Sequence, residues 1–184
     1  MPINKKIVLL LGGARSGKSS YAQELARTLG GNVLFIATGE PLDEEMKHRI
    51  DQHKKNRPED WETVEASLHL GTVLREHDEN TGTVLIDCIT LLVSNLLGDE
   101  NNYPDAENRI IDEVHKLISA MKASRANIII VSNEVGLGLV PDNKLGRMYR
   151  DLLGKANQLL AENADEVYFM TAGIPLKIKG KDVR

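Results

Sequence analysis

The chain has 184 residues, of which 41% are hydrophobic and 27% charged, and its formal net charge is −4. This length predicts a single domain, residues 1–184, with enough apolar residues for one core. The acidic balance argues against nucleic acid as a partner, because binding a phosphate backbone requires a basic surface. The chain contains no apolar run near the length of a membrane-spanning helix, so we expect no stable membrane insertion.

Cys88 is the only cysteine in the sequence. A single cysteine excludes an internal disulfide and any cysteine-based zinc site, which fits a reducing compartment. The first residues lead directly into an apolar segment, so we expect no signal peptide. These features together predict a cytoplasmic protein.

A glycine-rich motif follows the first predicted strand, residues 7–11. The motif reads Gly12-Gly13-Ala14-Arg15-Ser16-Gly17-Lys18-Ser19 and fits the P-loop pattern G-x-x-x-x-G-K-[ST]. A predicted helix over residues 20–29 comes next, so strand, loop and helix start together form a nest of backbone N–H groups for a polyphosphate. We expect Lys18 to reach the β- and γ-phosphates and the Ser19 hydroxyl to ligate Mg²⁺.

The remainder of the chain alternates between apolar strand patterns and helical patterns. The predicted strands cover residues 33–38, 61–65, 83–87, 127–132, 166–171 and 174–179. The predicted helices cover residues 43–54, 68–75, 91–97, 106–121 and 143–162. Alternation of this kind indicates a mainly parallel sheet covered on both faces. Pro175 belongs at a sheet edge, so the sequence predicts an α/β fold: a P-loop NTPase-like three-layer α/β/α architecture with an antiparallel C-terminal edge strand.

Polar residues follow two of the predicted core strands. Asp87 ends the strand 83–87, where P-loop proteins place a carboxylate that holds Mg²⁺ directly or through water. A cap on the next turn is the alternative role for this side chain. Asn133 and Glu134 follow another strand, at the end where open α/β sheets bind ligands, although a structural turn explains them equally well.

The segment 47–57 is strongly basic. Its basic residues are Lys47, Arg49, Lys54, Lys55 and Arg57, and it also contains His48 and His53. One interpretation is that these residues form an ordinary solvent-exposed helix face. The more specific interpretation is that they form a second binding site for a polyphosphate. The residues themselves do not decide between the two.

Motifs of regulatory GTPases are missing from the sequence. The run Asn143-Lys144-Leu145-Gly146 lacks the aspartate of N-K-x-D, and Asp87-Cys88-Ile89-Thr90 lacks the glycine of D-x-x-G. A nucleotide-gated regulatory module is therefore disfavoured, and a kinase of a small molecule fits the size better.

Over nearly its whole length the chain resembles the bifunctional adenosylcobinamide kinase/adenosylcobinamide-phosphate guanylyltransferases of cobalamin synthesis. The motifs that carry this resemblance occur in the family's order. They are the P-loop, Ile36-Ala37-Thr38, Asp43-Glu44-Glu45-Met46, Arg49-Ile50-Asp51-Gln52-His53-Lys54 with Arg57-Pro58, Trp61, Asp87-Cys88-Ile89-Thr90, Ser132-Asn133-Glu134-Val135-Gly136 and Lys177-Ile178-Lys179.

The resemblance implies two reactions. A nucleoside triphosphate, ATP or GTP, phosphorylates the aminopropanol hydroxyl of adenosylcobinamide. GTP then guanylylates the new phosphate through a covalent GMP–histidine intermediate, giving adenosylcobinamide-GDP and pyrophosphate. The family pattern R-I-x-x-H places the nucleophile at His53, with His48 as the fallback.

The resemblance also implies a set of site residues and a homotrimer. His53 and Lys18 are the expected catalytic residues, and Ser19 and Asp87 the expected Mg²⁺ ligands. The expected nucleotide-binding residues are Gly12, Gly13, Ala14, Arg15, Ser16, Gly17, Lys18, Ser19, Ala37, Thr38, Gly39, Lys54, Lys55, Asn56, Arg57, Glu65 and Asp87. The alternatives are a P-loop kinase of another small acceptor without guanylyl transfer, and a nucleotide-gated module.

Overall fold

A computed structural model of the chain describes residues 5–40, 44–55, 57–98 and 104–181. In the helix Glu44–Lys55 several side chains lie outside the described part, namely those of Glu45, Met46, Arg49, Asp51, His53 and Lys55. The predicted roles of His53 and Lys55 therefore concern side chains that the structure does not describe, and Asn56 lies wholly outside the described residues.

The described strands form one seven-stranded sheet in the order β3-β2-β4-β5-β1-β6-β7. Their bounds are β1 (Ile7–Gly12), β2 (Val33–Ala37), β3 (Glu62–Glu65), β4 (Thr83–Asp87), β5 (Asn127–Asn133), β6 (Glu166–Thr171) and β7 (Ile174–Lys179). All neighbouring pairs are parallel except β6 and β7, which are antiparallel. The predicted α/β fold with an antiparallel edge strand is confirmed.

The described helices also follow the predicted positions. Their bounds are α1 (Lys18–Leu29), α2 (Glu44–Lys55), α3 (Leu70–Glu76), α4 (Ile89–Leu97), α5 (Ala106–Ala123) and α6 (Lys144–Asn163). The differences from prediction are a residue or two at the ends, where capping and fraying decide the boundary. Among these helices, none combines the length and the apolar composition that crossing a bilayer requires.

The two faces of the sheet are covered by different helices, as alternation along β1 shows. Ile7, Leu9 and Leu11 belong to the core cluster that contains α3, α4, α5 and α6, whereas Val8 and Leu10 pack with α1. Successive side chains of a strand point to opposite faces, so an entirely apolar strand is buried on both. This packing produces the three α/β/α layers.

The carboxyl ends of the parallel strands meet at one edge of the sheet. Gly12 of β1 lies opposite Asn133 of β5, and Ala37 of β2 lies between Glu65 of β3 and Asp87 of β4. Residues that are distant in the sequence are thereby brought to a common edge, which is where open α/β sheets bind their ligands.

The turn between β6 and β7 supports the loop after β1. Ala172 and Gly173 both have positive φ, 50° and 81°, as a tight hairpin turn of the primed kind requires. The Gly173 N–H donates to the carbonyl of Ser16 at 3.0 Å. The antiparallel edge hairpin therefore buttresses the glycine loop from one side.

Candidate active site

The loop between β1 and α1 has the backbone conformation of an anion nest. Arg15 and Gly17 have positive φ, 56° and 91°, among residues in ordinary regions. No side chain caps the first N–H groups of α1, whose N-cap residue is Gly17. Uncapped N–H groups at a helix start attract negative charge, so this loop can hold a phosphate group.

Lys18 lies buried at the centre of this loop, with 6% of its surface exposed. Its Nζ donates to the carbonyls of Gly12 at 2.9 Å and Gly13 at 2.6 Å and to Ser16 Oγ at 3.3 Å. Burial lowers the pKa of the Lys18 ammonium, and the negative charge of nearby Asp87 opposes that fall. The loop thus holds a cation that is shielded from water. The electrostatic attraction between this cation and a bound triphosphate would be strong, because water screens it little.

Gly12 occupies a position that has no room for a side chain. A Cβ there would lie 2.5 Å from the carbonyl oxygen of Met170 and 2.9 Å from Ser16 Oγ, and its φ is +153°. By contrast, a Cβ at Gly13 would meet no atom within 4 Å. The first glycine of the motif is therefore required by packing.

Gly12→Ala is expected to destabilise the protein by about 1–3 kcal/mol, because the new methyl collides with backbone and the conformation is strained. The midpoint of thermal unfolding should fall by roughly 2–12 °C for a chain of this size. Scanning calorimetry measures it, and Gly13→Ala is the matched control that should unfold near the wild-type temperature. Equal midpoints for the two variants would contradict the packing argument.

Asp87 stands at the same edge as the glycine loop. It ends β4, and its negative charge acts against the lowered pKa of both Lys18 and Arg57, so the carboxylate lies near both cations. Ser19 lies in the first turn of α1 and is partly exposed. Among the described residues no three His, Cys, Asp or Glu side chains cluster as a metal site. Hard oxygen donors suit Mg²⁺, and a metal here would combine one carboxylate and one hydroxyl with phosphate oxygens.

Thr38 fastens the ends of β2 and β4 to each other. Its Oγ1 donates to the carbonyl of Cys88 and accepts from the Cys88 N–H, both at 2.7 Å. Its own carbonyl accepts from Asn95 Nδ2 of α4 at 3.0 Å. Thr38 therefore fixes the backbone beside Asp87, and Ala37 and Gly39 lie on either side of it at this edge.

Two of the predicted basic residues at the end of α2 meet the same edge. Lys54 Nζ lies 2.5 Å from Glu65 Oε1 at the end of β3. The Arg57 guanidinium lies 4.4 Å from the ring centre of Phe35 in β2. Its Nε is buried and has no hydrogen-bond partner among the described residues. Burial lowers the pKa of Arg57, and Glu65 and Asp87 oppose the fall.

Cys88 and the remaining histidines with described partners lie outside this chemistry. Burial raises the pKa of the Cys88 thiol to about 11, with Asp87 acting in the same direction, so the thiol stays protonated at neutral pH. His69 Nδ1 lies 3.6 Å from buried Glu113, and His77 Nδ1 lies 2.9 Å from Glu62. Each of these two histidines therefore has a carboxylate nearby, away from the glycine loop.

A buried polar network behind the site was missed by the sequence analysis. Ser132 Oγ donates to Asn157 Oδ1 at 2.6 Å, and Asn157 Nδ2 donates to the carbonyl of Asn133 at 3.0 Å. The Asn133 N–H donates to Thr90 Oγ1 at 2.8 Å. The available signal was Asn157 itself, a polar residue on the apolar face of α6 between Leu153 and Leu160.

A depression of about 490 Å³ lies elsewhere, against α5 and α6, and its lining includes Glu107, Arg147 and Asp151. None of the predicted site residues lines it. The donor groups and charges, and not this volume, therefore locate the candidate site at the carboxyl edge of the sheet.

The first strand of the mainly parallel sheet ends in a glycine nest with a buried lysine. At the same edge β4 ends in an aspartate, and basic residues lie at the end of α2. Together these features define the class of P-loop nucleotide-dependent transferases. The family model for cobinamide kinase / cobinamide phosphate guanyltransferase matches residues 8–178. The chain belongs to this family, and it is therefore a bifunctional enzyme that acts as a kinase and a guanylyltransferase with nucleotide substrates.

Curated relatives agree with this assignment. The chain is 44% identical over 181 residues to the bifunctional adenosylcobalamin biosynthesis protein CobU of Salmonella typhimurium, covering 94% of this chain and 99% of the relative. It is 41% identical to CobU of Escherichia coli K12 over the same shares. It is 42% identical over 173 residues to the bifunctional protein CobP of Pseudomonas aeruginosa, covering 94% and 97%.

Proposed function

We propose that one P-loop site performs both transfers on a cobinamide acceptor. ATP or GTP first phosphorylates the aminopropanol hydroxyl of adenosylcobinamide, and GTP then guanylylates that phosphate through His53. The observation that carries the proposal is that the glycine loop with buried Lys18, here called the cradle, lies at the same sheet edge as the basic end of α2. At this edge Lys54 pairs with Glu65, and the Arg57 guanidinium lies over the ring of Phe35.

The cradle serves both steps by holding the β- and γ-phosphates. The N–H groups of residues 13–19 and the Lys18 ammonium neutralise charge that develops on a departing group. In the kinase step the acceptor hydroxyl attacks the γ-phosphorus, and the nucleoside diphosphate leaves. In the guanylyl step the α-phosphorus is attacked instead, and pyrophosphate remains held in the cradle.

His53 is the proposed nucleophile of the guanylyl step. A neutral imidazole nitrogen attacks the α-phosphorus, and the bond from that phosphorus to the bridging oxygen of pyrophosphate breaks. A phosphate oxygen of the acceptor then attacks the same phosphorus and releases the histidine. His48, one turn and a half earlier in the same helix, is the alternative nucleophile.

Arg57 and Lys54 are the proposed second phosphate clamp. The Nε of Arg57 is buried and has no hydrogen-bond partner in the described part of the chain, which supports this role, because a buried donor without an acceptor costs free energy. Lys55 and Asn56 complete the proposed clamp by resemblance. Glu65 would then accept hydrogen bonds from the guanine or the ribose, next to the backbone of Ala37, Thr38 and Gly39 at the same edge.

Ser19 and Asp87 would hold Mg²⁺ between the cradle and the strand end. When bound, the metal would neutralise phosphate charge during both transfers. The donor set fits, because one hydroxyl and one carboxylate together with phosphate oxygens are the mixture that Mg²⁺ takes in such sites.

Asp87→Asn is expected to shift the Mg²⁺ titration of both activities to higher concentration by about tenfold, because a neutral amide is a weaker ligand than a carboxylate. The measurement is initial rate against Mg²⁺ concentration at saturating nucleotide. Asp151→Asn, an exposed aspartate on α6, is the control. An unchanged titration for Asp87→Asn would remove it from the proposed ligands.

The experiment that tests the function uses GTP labelled at the α-phosphate, mixed with the protein and Mg²⁺ in the absence of acceptor. We expect retained label that is acid-labile and alkali-stable, as a phosphoramidate on histidine would be. If no label is retained while adenosylcobinamide is still phosphorylated, guanylyl transfer through a covalent histidine intermediate is wrong. If the protein retains no label and does not phosphorylate adenosylcobinamide, a different small acceptor is indicated.

We further propose a cytoplasmic homotrimer built from a single domain per chain. The homotrimer rests on the family resemblance.

A further inference from the structure

The loop between β5 and α6, residues 134–143, exposes an unusual group of apolar side chains. Leu137, Leu139 and Val140 are exposed to 79%, 96% and 64%. They lie within four residues, and glycines at 136 and 138 alternate with the two leucines. Isolated exposed apolar residues are ordinary, but a contiguous group on one loop indicates a binding surface.

This loop is held in place at both ends. At its start Asn157 Nδ2 donates to the carbonyl of Asn133, and the Gly136 N–H donates to Glu134 Oε1 at 2.5 Å. At its end the Arg147 guanidinium donates to the carbonyls of Pro141 at 3.0 Å and Asp142 at 2.8 Å. Hydrogen bonds therefore anchor both ends of the loop, which restricts the segment between them and lowers the entropy cost of binding.

The loop begins directly beside the triphosphate cradle. The Glu134 N–H donates to the carbonyl of Gly12 at 3.0 Å, and Asn133 lies opposite Gly12 in the sheet. That same carbonyl accepts from Lys18 Nζ. A molecule resting on the loop would thus lie next to the phosphate that is transferred in the kinase step.

We propose that Leu137, Leu139 and Val140 dock the corrin macrocycle of the acceptor, an inference that rests on the proposed function. The reacting hydroxyl sits on a short arm of a large macrocycle that carries many methyl groups. The hydroxyl must reach the γ-phosphate, so the ring has to lie just outside the polar cradle. An anchored apolar loop beside the cradle meets that requirement, since it binds the ring while the arm extends inward.

A second copy of the chain fits this loop less well. A stable protein–protein interface buries roughly 800 Å² on each partner, and three side chains on one loop expose less than that. A single large cofactor-like molecule needs only a small apolar contact with a few polar groups around it. The size of the group of side chains therefore favours the acceptor.

The test is steady-state kinetics of the full-length protein with adenosylcobinamide as the varied substrate. Leu139→Ser should raise the KM for adenosylcobinamide about tenfold, and Leu137→Ser with Leu139→Ser about a hundredfold, through lost apolar burial. The KM for ATP and the labelling by GTP without acceptor should stay at wild-type values. Ile178→Ser is the matched control, because Ile178 is an exposed apolar residue at the opposite end of the sheet.

Three results would overturn the proposal. An unchanged KM for adenosylcobinamide in the double variant would show that the ring does not rest on this loop. If Ile178→Ser raises the KM for adenosylcobinamide as much as the loop variants do, the effect is a general consequence of removing exposed apolar surface. If light scattering shows that the double variant has a different oligomeric mass while its KM for adenosylcobinamide is unaltered, the loop forms a subunit contact. Wild-type protein that does not turn over adenosylcobinamide would instead contradict the proposed function itself.

Discussion

Replacing Lys18 with alanine is expected to lower both the kinase and the guanylyltransferase rates by roughly 10²–10³-fold or more, because the same buried cation stabilises phosphate charge in both transition states. Lys18 is the cation that the loop holds at its mouth, with hydrogen bonds to the carbonyls of Gly12 and Gly13. The two rates are measured separately, one with γ-labelled ATP and adenosylcobinamide and the other with α-labelled GTP and the phosphorylated acceptor.

Lys18→Met is the companion variant, since it keeps the aliphatic length and the packing of the buried stem while removing the charge. Lys116→Ala changes an exposed lysine of α5 and should leave both rates unaltered. Circular dichroism establishes that each variant is folded. Retention of either activity in folded Lys18→Met would mean that the two reactions use different triphosphate sites.

Replacing His53 with alanine is expected to separate the two activities. Guanylyl transfer should fall by more than about a thousandfold, because the covalent route disappears with its nucleophile. Phosphorylation should keep most of its rate, since the γ-phosphate is transferred directly to the acceptor hydroxyl. The measurement pairs acceptor-free labelling by α-labelled GTP with the kinase assay on the same preparation.

His48→Ala is the control that distinguishes the two candidate nucleophiles of α2. Label that persists in His48→Ala and is lost in His53→Ala assigns the intermediate to His53. The reverse pattern assigns it to His48 and corrects the family-based choice. Equal loss of both activities in folded His53→Ala would indicate that His53 supports the structure of the site and not the chemistry.

The local pattern of the sequence determined the elements of this fold. Residues 83–87, 166–171 and 174–179 were predicted as strands with the bounds that the structure has. The glycine motif was recognisable because a strand, a loop of fixed spacing and a helix are consecutive in the chain. Period and spacing are short-range properties, so one sequence contains them in full.

Only the tertiary structure decided how the parts of the site come together. The strand order places β4 one strand away from β1, which brings Asp87 near enough to Lys18 for its charge to act on the pKa of that lysine. It also pairs Lys54 with Glu65 and sets Arg57 on Phe35. Asn157, 24 residues from Asn133, holds that strand end in place. These contacts depend on which strands become neighbours and in which register, and that choice comes from packing of the whole core, which local periodicity does not encode.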